Sequence, residues 1–150
     1  MVASRARSGK AGAAPKVKVD GKHTGTAGNS HSGTTGHTVK PGDKLYLVTR
    51  ADLAPGYQAV QSCHAMRQFT HDHPDVDSVW FTNSNYLALL SAPSEIELMR
   101  LLVSAHDAEV PASAFREPDV GGKITAIALG PGERTRKLCE HLPLALKGSP

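Results

Sequence analysis

Two distant segments carry residue types that could act on a substrate. The first is Ala54-Pro-Gly-Tyr-Gln-Ala-Val-Gln-Ser-Cys-His-Ala65. The second is Phe115-Arg-Glu-Pro-Asp-Val-Gly-Gly-Lys-Ile-Thr-Ala-Ile-Ala-Leu-Gly-Pro131. Pro55 followed by good helix formers predicts a helix opening. On that helix Tyr57, Gln61, His64 and Gln68 fall at i, i+4, i+7 and i+11 and share one face. The face is polar and aromatic where a plain surface helix would carry solvated charges. The second segment sets Asp119 and a Gly121-Gly122 turn directly before an apolar strand. A polar helix face and a carboxylate loop could together form an active site.

Each residue also has a plain structural reading. Asp119 suits a turn aspartate capping the glycine loop. His64 suits an ordinary half-buried helix position, and Gln61 could satisfy a backbone group. Thr125 is β-branched and at home in a strand. Arg116 and Lys123 could meet phosphate or be lone surface charges. Cys63 beside His64 is no thiol dyad, because adjacent helix residues point about 100° apart. Cys63 reads as a buried apolar side chain.

The elements that must position these groups follow from periodicity and punctuation. Lys44–Arg50, after Pro41-Gly42, reads as the first strand. A helix runs from about Pro55 to about His71 and stops before Pro74. Val79-Trp80-Phe81 is an apolar patch of undetermined type. Tyr86–Ser91 is almost continuously apolar, which predicts a central strand covered on both faces. Ser94 and Glu97 form a capping box for a second helix, with Ile96, Met99, Leu102 and Val103 as its apolar stripe. A short strand is expected near Ala114 and the last strand over Ile124–Leu129. A weak helical pattern follows near Thr135 to His141. The order β-α-β-α-β-β predicts an α/β fold, a mixed four-stranded sheet covered by helices. Crossovers make the early strands parallel, and the short last connection makes an antiparallel pair.

The charge is uneven. Residues 1–43 hold seven Lys and Arg against two Asp, a net +5. The chain is +3 overall, which leaves −2 for residues 44–150. Residues 1–43 are rich in Gly, Ser, Thr, Ala and Lys and lack aromatics, so they read as a disordered basic arm. The arm is either an attractor for nucleic acid or an inert solubilising tail. It lacks the apolar run of a secretory signal and the amphipathic hydrophobics of a transit peptide. No segment is apolar enough to span a membrane. Cys63 and Cys139 have no metal or disulfide-framework spacing, which suits a reduced, cytoplasmic chain. There is no Walker loop and no dinucleotide fingerprint. The organisation expected is an arm over 1–43, a domain over 44–131 and a partly helical tail over 132–150.

Pro55-Gly56-x-x-Ala59-x-Gln61-x-x-His64-Ala65 resembles the first helix of the type 2 peptidyl-tRNA hydrolase family. Gly122-x-x-Thr125-Ala-Ile-Ala-Leu-Gly130-Pro131 resembles its last strand, and Arg116-Glu-Pro-Asp119 its acidic loop. The resemblance covers roughly residues 44–131. It implies metal-independent, cofactor-free hydrolysis of the ester joining a peptide to the terminal ribose of tRNA. Peptidyl-tRNA is then the partner. The catalytic groups carried over are Gln61, His64, Asp119 and Thr125, with Tyr57, Arg116 and Lys123 binding substrate. Asp119 would orient or activate water, Thr125 would donate to the carbonyl, and Gly121-Gly122 could supply an oxyanion hole. Two departures stand out. Tyr57 holds the position of the family's lysine, and the loop between Asp119 and Thr125 is short. Both keep open a second reading, a binding protein for an RNA end or another ligand on the same fold.

Overall fold

Prolines and glycines set the joints of this chain. The computed structural model describes residues 38–147. Pro41 and Gly42 form a turn, Gly42 taking the left-handed φ of +89° that favours glycine, and the chain enters β1 (Lys44–Arg50). Pro55 opens α1 (Pro55–Asp72), and Pro74 ends it and starts α2 (Pro74–Asn83). Then come β2 (Tyr86–Ala92), α3 (Glu95–Asp107), β3 (Ala112–Glu117), a single 3-10 turn (Pro118–Val120), β4 (Lys123–Leu129) and α4 (Glu133–Cys139). The expected arm falls outside the described residues up to residue 37. From residue 38 the chain is described, and Val39 is buried against Leu45, Phe69 and Trp80.

The four strands lie in the order β2-β1-β4-β3. β1 and β2 are parallel, while β4 runs antiparallel to both β1 and β3. The result is the expected α/β domain with a mixed sheet. Strand alternation divides the core in two. Leu45, Leu47, Ala126 and Ala128 face α1 and α2, packing on Ala65, Phe69 and Trp80. Tyr46, Val48, Ile127 and Leu129 face α3 and α4, packing on Leu98, Leu101, Ala105 and Cys139.

One open segment is assigned, and three expectations need correction. The patch Val79-Trp80-Phe81 is part of α2, which buries only Trp80 while Phe81 is 65% exposed. A helix that seats one large side chain shows no apolar period. β2 is an edge strand, not a central one. Its second half is buried because the chain after α4 returns along it. The Ser91 N–H donates to the Pro143 carbonyl at 2.9 Å and the Ala145 N–H to the Leu89 carbonyl at 3.1 Å. The returning segment blunts an otherwise open edge. On α3, Ile96, Met99 and Val103 face outward, while Leu98, Leu101 and Ala105 are buried. The helix is apolar on more than one side, so periodicity alone does not fix its rotation. The Ser94 side chain accepts the Glu97 N–H as expected, and the Glu95 carboxylate reaches β4. Finally, Cys63 is exposed.

Candidate active site

α1 lies across β3 and β4, and its buried polar side chains set how it sits. Gln58 donates to the Leu53 carbonyl at 2.7 Å, and Ser62 donates to the Gln58 carbonyl at 2.8 Å. Gln61, one turn after Gln58 and 1% exposed, points at the sheet. Its partners are side chains from both neighbouring strands. Thr125 Oγ1 donates to Gln61 Oε1 at 2.5 Å, and Gln61 Nε2 donates to Glu117 Oε2 at 2.6 Å. A carboxylate accepts only, so the amide nitrogen must face Glu117 and the amide oxygen Thr125. The threonine proton is therefore committed to Gln61. Thr125 is 0% exposed.

A β-bulge puts Thr125 on this face. The β3–β4 register pairs Phe115 with Ala126 but Arg116 with Ile124, so Thr125 is the extra residue. Ala126 and Ala128 face α1, and Ile127 faces α3. Strict alternation would turn Thr125 towards α3. The bulge shifts the parity by one, and Thr125 joins Ala126 on the α1 side, where Gln61 meets it.

Glu117 is the junction of the site. Besides the Gln61 amide it accepts the Asp119 N–H at 3.4 Å. Its carboxyl lies below the usual glutamate range. The hydrogen bond from Gln61 contributes most; the Asp119 N–H, the Tyr57 hydroxyl and the nearby His64 act in the same direction against partial desolvation. The Tyr57 phenol moves the other way, raised first by desolvation and then by the Glu117 and Asp119 carboxylates. His64 lies flat on Phe115, ring centres 4.5 Å apart and planes 14° from parallel. One ring face of this exposed histidine rests on a half-buried phenylalanine.

The residues expected from the sequence therefore separate. Gln61 and Thr125 are joined directly, and Tyr57 and His64 border them through Glu117. Asp119 is exposed on the 3-10 turn and touches the group through its backbone N–H. Lys123 is paired with Glu117 in the ladder and shares its side of the sheet. Arg116 is opposite Ile124, a residue of the α3-side core, and its guanidinium donates to the Gly122 carbonyl at 3.3 Å. Gln68 donates to Asp72, away from Gln61. The glycine loop does not offer its amides: Gly121 N–H donates to the Pro118 carbonyl and Gly122 N–H to the Glu117 carbonyl. The left-handed φ of 75° and 73° accounts for both glycines. Glu117 was missed from sequence. The signal for it was the alternation Ser113, Phe115, Glu117 along β3, which carries all three towards α1.

A family model described as peptidyl-tRNA hydrolase PTH2 matches residues 43–145. The chain belongs to this family. No curated protein matches the chain. The match runs past residue 131, where the sequence motifs stop, through α4 and the segment that covers the β2 edge. The Gln61–Thr125–Glu117 group thus lies on the fold of a PTH2 hydrolase. Among the described residues, no group of three or more His, Cys, Asp and Glu side chains is arranged to hold a metal ion, and no helix is long and apolar enough to cross a membrane.

Proposed function

We propose that this PTH2 chain hydrolyses the ester linking a peptide to the terminal ribose of tRNA, in the cytoplasm and without a metal. The observation that carries this reading is the relay Thr125–Gln61–Glu117, which ends in a carboxylate at the site's rim. Glu117, held below the ordinary range, is ionised at neutral pH. One of its oxygens is fixed by the Gln61 amide, which sets the plane in which the carboxylate can hold a water. The water oxygen attacks the ester carbonyl, its proton passes to Glu117, and that proton leaves with the ribose oxygen as the acyl bond breaks. A low carboxyl pKa makes Glu117 a weak base, so orientation and charge contribute more than proton affinity.

Tyr57, whose single hydroxyl proton bonds Glu117 in the free site, would have to turn it to the developing oxyanion, a neutral donor where the family's lysine would bring a positive charge. Thr125 works through Gln61, since its only proton points there. Asp119, exposed on the 3-10 turn beside Glu117, offers an acceptor for a ribose hydroxyl. The His64–Phe115 stack offers a flat face to the terminal base of tRNA. Lys123 meets backbone phosphate, and Arg116 chiefly braces the loop that carries Asp119.

The test is purified protein with peptidyl-tRNA, with and without EDTA. Free peptide and intact tRNA should form in both. Loss with EDTA and recovery with zinc would overturn the metal-free mechanism. Tyr57 favours one other reading, a binder of RNA ends without turnover. Tyr57→Lys separates the two: a weakened hydrolase gains rate, whereas a binder shows no turnover in either form and keeps its affinity for tRNA.

A further inference from the structure

Glu95 is the first residue of α3 and follows the cap Ser94. Its side chain leaves the helix end and Oε1 accepts the backbone N–H of Ile124 at 2.8 Å. Ile124 is the residue next to the β4 bulge. On the β1 side the sheet gives no support here, because the β1–β4 ladder ends at Thr49 opposite Ala126, while β3 still pairs with Ile124 and Lys123 on the other side. Side chains take over. Glu95 holds the N–H of Ile124, and Thr49 Oγ1 donates to the carbonyl of Thr125 at 3.3 Å. The two grip the backbone on either side of the Ile124–Thr125 peptide, the stretch whose extra residue sets the facing of Thr125.

We propose that Glu95 is a positioning residue of the hydrolase: by holding the β4 bulge at Ile124 it keeps Thr125 turned to Gln61, and Gln61 on Glu117. The inference rests on the reading of the Thr125–Gln61–Glu117 relay as the catalytic group. Glu95 touches none of the three. It sits on the α3 side of the sheet and acts through the backbone of β4. A relaxed bulge lets Thr125 revert towards the parity of a regular strand. Gln61 then loses the donor that fixes its amide, and the Glu117 carboxylate loses its fixed plane. Displacement of a catalytic group by about 1 Å from a remote change is enough for losses near 10²-fold.

A helix stitched to a sheet for stability alone gives a different result, and a mutant cycle separates the two. Glu95→Ala and Glu95→Gln are made in the full chain, each alone and with Thr125→Val. Glu95→Ala should lower kcat by about 10- to 100-fold and leave KM within about twofold. Glu95→Gln, whose amide oxygen still accepts the Ile124 N–H, should recover most of that loss. On Thr125→Val, Glu95→Ala should cost little more, since both act on one chain of contacts. A fall in Tm with kcat unchanged, or the same fold-loss with and without Thr125, overturns the proposal.

A second measurement does not depend on turnover. The Gln61 side-chain amide protons, buried and bonded to Glu117, should exchange slowly in the wild-type protein and faster in Glu95→Ala. A wild-type protein that does not cleave peptidyl-tRNA but shows this change loses the hydrolase reading and keeps the positioning role of Glu95. Unchanged Gln61 exchange in a folded Glu95→Ala protein rejects the positioning role whatever the activity.

Discussion

Glu117 and Asp119 are two residues apart and do different things. The 3-10 turn between them sends Asp119 to solvent, while the end of β3 turns Glu117 to α1. From sequence, Asp119 stood out because Arg116-Glu-Pro-Asp119 resembles the family's acidic loop, and Glu117 was not singled out. The distinction lies in where β3 ends: Glu117 is its last residue and keeps the alternation that faces α1, whereas Asp119 already belongs to the 3-10 turn, and a strand of six residues does not advertise its last residue. Gln61 and Thr125 were singled out through the resemblance of their segments to the family's first helix and last strand; strand alternation alone would have turned Thr125 towards α3, and only the bulge brings it to Gln61. The structure makes a direct comparison available. Glu117→Gln keeps size and a hydrogen-bonding group but removes the charge, and should lower turnover by roughly 10²–10⁴-fold with tRNA affinity little changed. Asp119→Asn should have the smaller effect. Measuring single-turnover cleavage for both decides it, and a larger loss in Asp119→Asn returns the water to Asp119. Because Gln61 holds the Glu117 carboxyl low, the acid limb of wild-type turnover should move to higher pH in Gln61→Leu, and an unmoved limb would show that Glu117 does not set it.

At the scale of elements, the site depends on α1 lying squarely over β3 and β4, and both ends of that contact are pinned. Near its start Gln61 reaches Glu117; at its last residue Asp72 Oδ2 accepts the Ser113 hydroxyl of β3 at 2.7 Å. Ser113 and Glu117 are on the same face of one strand, so the two contacts fix helix against strand at two points. Asp72 also accepts from Gln68, and His71 lies against the same carboxyl. The Ser113 hydroxyl first and His71 second bring its pKa down to about 2 from an ordinary 3.8. The sign follows from linkage. A carboxyl depressed in the folded state stabilises above its unfolded pKa, and that stability goes as pH falls from 3.8 through about 2. Asp72→Asn should therefore have a lower urea midpoint than wild type at pH 6 and converge with it as pH approaches 2. A gap that stays constant over this range would mean that Asp72 acts through packing alone. The pairing of Ser113 with Asp72 was invisible in sequence, being a contact between residues 41 apart. The rotation of α3 was hidden for another reason, that its apolar residues spread over two faces, and which face packs on the sheet is decided by tertiary contacts such as that of Glu95 with β4.

On the scale of the whole molecule, the chain divides by charge more sharply than by anything else. Residues 1–37 carry Arg5, Arg7, Lys10, Lys16, Lys18 and Lys22 against Asp20, a net +5. The remainder is −2, an unhelpful sign for a protein that must hold tRNA. The site itself adds Glu117 and Asp119, and Arg50, a cation at the end of β1, is already paired with Asp52 at 2.7 Å. Composition made this asymmetry legible. Val39, within the stretch read as the arm, is buried in the core cluster that holds Trp80 and Phe69, so a cut at residue 43 would remove a core side chain. Removing residues 1–37 spares that contact. If the arm supplies the attraction for RNA, the truncated protein should keep its Tm and its turnover at saturating substrate, and bind tRNA more weakly at low salt. The slope of log affinity against log salt should flatten by up to about 4, the release expected when about five cationic contacts with phosphate are lost. Filter binding of tRNA to both proteins between low and physiological salt gives the slope directly. Identical slopes would reduce the arm to a passive tail and put the whole of tRNA binding on the domain, where Lys123 and the His64–Phe115 stack would have to provide it.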